Sequence, residues 1–267
     1  MPRAIWSGSI SFGLVNIPVK LYTATKSRGL KLQNLCGKCG TPIKHKRWCP
    51  KCEREVPWNE VVKGYKIAKG KYIVIKRSEL ERIKLKTTKT IEIVAFVDLA
   101  SLDPILYQTT YYVVPQEGGV KAYSLFVEAL RLTGKAAIGR VVMKNKEYLV
   151  ALRAYKKGIA MHVLHYLGEI RDIEELEELR GLVTISEREL ELARLLIEQL
   201  TKKELKLEEF KDRYTEALKK LIKAKAKGEE IKIEEKTEVE EAKSLMEALK
   251  ASLEAMKKKK EAIEVKK

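Results

Sequence analysis

Cys36-x-x-Cys39 and Cys49-x-x-Cys52 hold all four cysteines of the chain in one short stretch, punctuated by Gly37, Gly40, Pro42 and Pro50. Those glycines and prolines permit the tight turns that aim paired thiols at one point. Four soft sulfurs at this spacing predict a structural Zn2+, one per chain, held by Cys36, Cys39, Cys49 and Cys52. Four sulfurs fill a tetrahedral sphere, which leaves no open position for catalysis. Two disulfides are the alternative reading of the same residues. The opening Met1-Pro2-Arg3-Ala4-Ile5-Trp6-Ser7-Gly8 lacks the apolar run of a signal peptide, and no later run is long enough to span a bilayer. The expectation is an intracellular, cytoplasmic and nucleoid-associated protein with no membrane partner, where reducing conditions favour metal over disulfide.

The cysteine stretch lies in a strongly basic lobe. Residues 1 to 77 carry 17 Lys or Arg against Glu53, Glu55 and Glu60, a net +14 out of +17 for the whole chain. A one-signed lobe displaces counterions from a phosphate backbone, whereas the same charge spread evenly serves mainly solubility. Nucleic acid is the expected partner. Lys44, His45, Lys46 and Arg47 sit between the cysteine pairs, and Lys144-Asn145-Lys146 and Lys156-Lys157-Gly158 have the composition of hairpin tips. Aromatic residues make up 7% of the chain and do not alternate with basic ones along it, which argues against a platform for stacked single strands. With no helix rich in Arg, Asn and Gln to read base edges, backbone binding to a duplex is the expectation.

Enzyme signatures are weak. Gly134-Lys135 is not a phosphate-binding loop, because Ala129 and Ala136 stand where Gly and Ser or Thr are needed. His162 and His165, three apart in a strand, point to opposite faces and do not converge on a metal. Asp172, Glu174, Glu175, Glu177 and Glu178 read as a solvated helix face. The chain is expected to have no catalytic residue. A zinc-dependent hydrolase or nuclease would need an open metal position, and a zinc-containing RNA- or ribosome-associated binding protein is the alternative to DNA binding.

From Ile5 to Tyr166 short β-rich runs predominate, among them Lys71 to Lys76, Thr88 to Val97, Leu106 to Val114, Ala136 to Met143, Tyr148 to Tyr155 and Gly158 to Tyr166. They predict a barrel or sandwich with one helix on it, Lys121 to Thr133, which places Ala122, Leu125, Phe126, Ala129 and Leu130 on one face and stops at Gly134. Ser186 and Glu189 form a capping box ahead of a stripe running from Leu192 to Leu200, and a second helix is expected from about Leu207 to Gly228. A third stripe, Ala242, Leu245, Met246, Leu249, Leu253 and Met256, precedes Lys257 to Lys260. The division expected is a core over 1–170, a helical arm over 171–228 and a Lys/Glu-rich tail over 229–267.

The run from Arg3 to Tyr22, Arg-Ala-Ile-Trp-Ser-Gly-Ser-Ile-Ser-Phe-Gly-Leu-Val-Asn-Ile-Pro-Val-Lys-Leu-Tyr, resembles the opening of the prokaryotic Ku proteins, DNA-end-binding factors of non-homologous end joining. Val62-Lys63-Gly64-Tyr65, Thr88-Lys89-Thr90-Ile91, Leu102-Asp103-Pro104-Ile105, Gly119-Val120-Lys121-Ala122-Tyr123, Glu128-Ala129-Leu130-Arg131 and Leu149 to Arg153 follow in the family's order, so the resemblance covers about residues 3 to 222. It implies a mainly β fold with α elements: a Ku-type β-barrel core, an inserted zinc-binding bridge over about residues 23 to 63, and a C-terminal helical arm. It further implies a ring-shaped homodimer that threads onto double-stranded DNA ends, and recruitment of a multifunctional DNA ligase through the C-terminal region. Carried over by position, the DNA contacts are Lys20, Lys44, Lys46, Arg47, Lys63, Lys66, Lys89, Arg140, Lys144, Lys146 and Arg153.

Overall fold

The computed structural model describes residues 3–26, 29–82, 89–228 and 248–254. In chain order the first unit contains β1 (Trp6–Phe12), β2 (Val15–Thr23), β3 (Trp48–Cys49), β4 (Arg54–Glu55), β5 (Lys63–Ala68), β6 (Lys71–Ile75), α1 (Arg77–Arg82), β7 (Thr90–Asp98), β8 (Tyr107–Pro115), α2 (Val120–Thr133), β9 (Lys135–Met143), β10 (Lys146–Tyr155) and β11 (Gly158–Leu164). Seven of these strands close a barrel in the order β1-β2-β8-β11-β10-β9-β7. All neighbours are antiparallel except β1 and β7, which close it in parallel through Ser9↔Thr90, Ile10↔Ile91 and Ser11↔Glu92. Closure removes the free strand edges an open sheet would expose.

Alternation fixes which side of each strand faces in. Ile17, Val19 and Leu21 of β2, Ile159 and Met161 of β11, and Val150 and Leu152 of β10 are all but sealed from solvent; between them Pro18 and Lys20 of β2 are half-buried, whereas the small Ala151 and Ala160 are buried as well. Helix α2 packs on the barrel and stops before Gly134, as the sequence predicts. Its buried face keeps Phe126 and Leu130 of the predicted one but is otherwise rotated: Tyr123 and Val127 are buried, Ala122 is half-buried, and Leu125 and Ala129 are exposed. Two apolar stripes about one residue apart run along this helix, and the barrel selects the one carrying Tyr123. That hydroxyl donates to the Val113 carbonyl at 2.7 Å and accepts from the Ile159 amide at 2.9 Å. Burial raises its pKa.

The segment between β2 and β7 is an insertion in the barrel, and it carries the cysteines, the β3-β4 pair, the β5-β6 hairpin and α1. Gly8 lets β1 meet the end of this insertion. A Cβ there would stand 2.0 Å from the Lys89 carbonyl, the group that accepts from the Ser9 amide.

Chain compactness divides the protein into Met1–Asp172 and Ile173–Lys267. In the second unit, α3 (Glu187–Leu200) starts at the expected capping box, with Ser186 Oγ accepting from the Glu189 amide and the Glu189 carboxylate accepting from the Ser186 amide. The expected helix from Leu207 begins later. Leu207–Glu209 is a 3-10 turn, and α4 (Arg213–Lys227) is nucleated by Asp212, whose carboxylate accepts from the Thr215 amide at 2.9 Å. The acids around 172–178 do not form a helix face. They lie around and within the 3-10 turns Ile173–Glu175 and Glu177–Gly181, because in an α-helix Glu174 would stack over Glu177 and Glu178 as like charges. Of the third stripe, Leu249 and Leu253 lie in a helical turn over 248–254; Ala242, Leu245, Met246, Met256 and Lys257 to Lys260 fall outside the described residues.

Candidate nucleic-acid interface and cysteine knuckles

The two cysteine pairs adopt matching local structures. Leu35 bridges Pro42 antiparallel, the Cys36 amide donates to the Thr41 carbonyl, and the Gly40 amide donates back to the Cys36 carbonyl, so Cys36 and Cys39 sit on a closed knuckle. The second pair repeats the plan: Cys49 pairs with Arg54 across β3 and β4, and Cys52 occupies the turn between them. In each knuckle the residue after the second cysteine, Gly40 at φ +68° and Glu53 at φ +46°, is left-handed. That reversal costs nothing at glycine and something at glutamate.

Both pairs are chemically coupled within themselves. The Thr41 hydroxyl lies 3.4 Å from Cys39 Sγ and, with the Thr41 backbone and the Cys36 thiol, lowers the Cys39 pKa from 9.0 to about 7. Hydrogen bonds from the Cys52 backbone and side chain lower the Cys49 thiol, and the same contact raises Cys52. None of the four cysteines is in a disulfide. The donor set, four thiols on two knuckles, suits structural zinc. Each pair is brought together by the structure, but among the described residues no three Cys, His, Asp or Glu side chains stand together as a metal cage.

The cations expected to contact DNA fall in three places. In the insertion, Lys44, Lys46 and Arg47 are exposed on the link between the knuckles. Lys46 pairs with Glu55 at 3.4 Å; Arg47 donates to the Val56 carbonyl at 3.0 Å and lies over the Trp58 ring at 5.4 Å, so it fastens the link as well as charging it. Lys63 and Lys66 stand on opposite faces of the β5-β6 hairpin, and Lys89 has φ +49° where the insertion rejoins the barrel. At the β9-β10 turn, Lys144 and Asn145 are both left-handed, the conformation of a tight hairpin, and Lys146 lies over the Tyr148 ring at 5.3 Å. On the outer wall, Lys20, Arg140 and Arg153 alternate with core residues of β2, β9 and β10, and Arg140 is the cross-strand neighbour of Glu92.

Arg153 has a support that sequence reasoning missed. Its Nε donates to His162 Nε2 at 2.9 Å, and His162 Nδ1 lies 2.9 Å from the Thr110 hydroxyl, with the imidazole stacked on Tyr107 at 4.6 Å. Because Nε2 accepts, Nδ1 carries the proton and the ring is neutral. Burial, then the Arg153 charge, lowers the His162 pKa. His165 lies past the end of β11 with Glu169 at 3.4 Å, so the two imidazoles do not converge.

A family model described as the Ku70/Ku80 beta-barrel domain matches residues 11–192, more than half of the chain. The non-homologous end joining protein Ku of Archaeoglobus fulgidus is 49% identical over 243 residues, covering 91% of this chain and 95% of that protein. The chain belongs to the Ku family. The Ku proteins of Symbiobacterium thermophilum and Bacillus subtilis are 45% and 39% identical over 229 residues each, 85% of this chain, and it spans 56% and 73% of their lengths. Ku proteins are non-enzymatic DNA-end-binding factors of double-strand break repair. The Ku match takes in the cysteine knuckles, all strands from β2 to β11 and the first turns of α3. Among the described residues no helix is long and apolar enough to cross a membrane.

Proposed function

We propose that this Ku works as a ring-shaped homodimer that encircles double-stranded DNA ends without regard to sequence, protects them, and recruits a DNA ligase through its C-terminal region. The observation that carries this reading is the concentration of charge: net +14 in residues 1 to 77, on a barrel strand pair and the long insertion that follows it. Phosphate contacts alone bind weakly at physiological salt, and encirclement lengthens residence without any base contact. An end is then the one place where a closed ring can load.

Support for a dimer comes from the β5-β6 hairpin. Tyr65, Ile67, Tyr72, Ile73 and Val74 are all more than half exposed, and they occupy both of its faces. A lone two-stranded hairpin with this composition is marginal in water, and burial against a second subunit would stabilise it. DNA contact is assigned to Lys20, Lys44, Lys46, Arg47, Lys63, Lys66, Lys89, Arg140, Lys144, Lys146 and Arg153. Cys36, Cys39, Cys49 and Cys52 are assigned to one structural Zn2+ per chain, which braces the insertion and reduces the entropy cost of presenting its cations.

The test compares linear duplex with a covalently closed circle of the same sequence. Tight binding to the linear form, negligible stable binding to the circle, and trapping of protein when bound linear DNA is ligated shut are the expected results. Equal affinity for both forms would reject the ring, and preference for structured RNA over either would redirect the reading to RNA.

A further inference from the structure

We propose that the outer wall of the barrel carries a binding site for unpaired nucleotides, formed by Tyr22, Tyr112 and Tyr155 with Lys20, Arg153 and Lys156. It rests on the end-binding reading, since a broken end with a single-stranded overhang supplies such nucleotides beside the duplex.

Aromatic and basic residues that do not alternate along the chain are interleaved by strand register. Tyr22 of β2 is the cross-strand partner of Tyr112 of β8; Tyr112 is opposite Ala160 of β11; Ala160 is opposite Arg153 of β10. Tyr155, two residues beyond Arg153 on the same outward face, pairs with Gly158. Ala160 and Gly158 have almost no side chain, so rings from β8 and β10 meet above β11. Tyr112 and Tyr155 stack with centroids 5.9 Å apart and planes within 13°. Arg153 lies 5.2 Å and Lys156 5.7 Å from the Tyr155 centroid. Lys20 is on the outward side of β2, two residues before Tyr22.

The site is rigid and one-signed. His162, 7% exposed, accepts from Arg153 Nε and is held in turn by Thr110 and Tyr107, so the guanidinium is fixed before a ligand arrives. No Asp or Glu occurs in β2, β8 or β11. Tyr112 is 39% exposed. Flat rings with cations beside them, and with the one acid of their strands, Glu147 of β10, eight residues before Tyr155, match a base face joined to a phosphate, and every base offers such a face, so binding is indifferent to sequence. Paired bases are covered by their own neighbours in a duplex, which restricts the site to unpaired ones.

The experiment measures affinity for a blunt duplex and for the same duplex extended by a short overhang carrying a fluorescent adenine analogue, using the full chain. The overhang is expected to raise affinity about 5- to 100-fold and to quench the analogue by stacking. The double variant Tyr112→Ala/Tyr155→Ala should lose that increment and keep blunt-end binding, while Tyr112→Phe/Tyr155→Phe should retain both. Equal affinity for the two ends, an increment that survives in the alanine variant, or an unquenched analogue would overturn the site while leaving end binding intact. Failure of the wild type to hold either duplex would sink the end-binding reading itself, and this site with it. Displacement of the overhang by an oligoglutamate as effectively as by an oligothymidylate would show that the surface reads charge alone, and the stacking assignment would fall.

Discussion

His162 sits neutral and nearly buried between Arg153 and Thr110, and its lowered pKa ties stability to pH. The unfolded imidazole takes up its proton near 6.5, whereas the folded one resists until lower pH. The unfolded state therefore binds more protons in that window, so stability is complete above 6.5 and falls as pH drops below it toward the folded value. Urea midpoints at a series of pH values should show this component in the wild type and not in His162→Gln; identical slopes would contradict it. Tyr123 makes a second residue-level case. Tyr123→Phe removes the hydroxyl that serves both the Val113 carbonyl and the Ile159 amide and strands them inside the molecule, at a cost of about 1–3 kcal/mol in equilibrium unfolding. Neither role was visible beforehand, because a histidine or tyrosine in a β-rich run is compatible with many partners and only register chooses among them. Of the features singled out from sequence, the tight turns at Cys36–Cys39 and Cys49–Cys52 were the most legible, since spacing and turn residues act locally.

The cysteine insertion is an element with little apolar support of its own: every described residue from 29 to 56 is at least partly exposed. Its two knuckles hold their shape through a few backbone hydrogen bonds, which solvent can replace. If one Zn2+ joins them, purified reduced protein should contain about one zinc per chain, and Cys39→Ser should lose it. Chelation should then speed amide exchange across residues 35 to 56 while β1, β2 and β8 to β11 stay protected, because the barrel's ladders close without the insertion. Protection unchanged on chelation would count against a metal brace. Elsewhere at this scale, the Ser186–Glu189 capping box and the hairpin tips were readable because their signals span three or four residues. The acids after Arg171 read as a solvated helix face but lie around and within 3-10 turns, because that reading leaves out the repulsion among Glu174, Glu177 and Glu178.

For the molecule as a whole, the governing quantity is a charge separation: the first 77 residues carry +14 and the other 190 only +3. DNA binding should weaken steeply with salt, log K changing by about −0.9 for every phosphate neutralised per tenfold rise in concentration. Titrations on linear duplex give that slope directly, and a slope near zero would remove the electrostatic account. Replacing Lys144 and Lys146 by Gln should flatten the slope if the β9-β10 tip touches phosphate and leave it unchanged otherwise.

The sequence by itself determined what depends on neighbours along the chain: the knuckles, the caps, the alternation that builds strands, the sign and location of the charge, and the family, through its ordered motifs. Tertiary structure decided what depends on register between distant strands. It closed the barrel through a parallel β1-β7 pair, turned Tyr123 rather than Leu125 into the core, backed Arg153 with His162, and gathered tyrosines from β2, β8 and β10 above the small residues of β11. A one-residue slip in any of those ladders would send the same side chains to the opposite face, which is why no linear pattern could specify them.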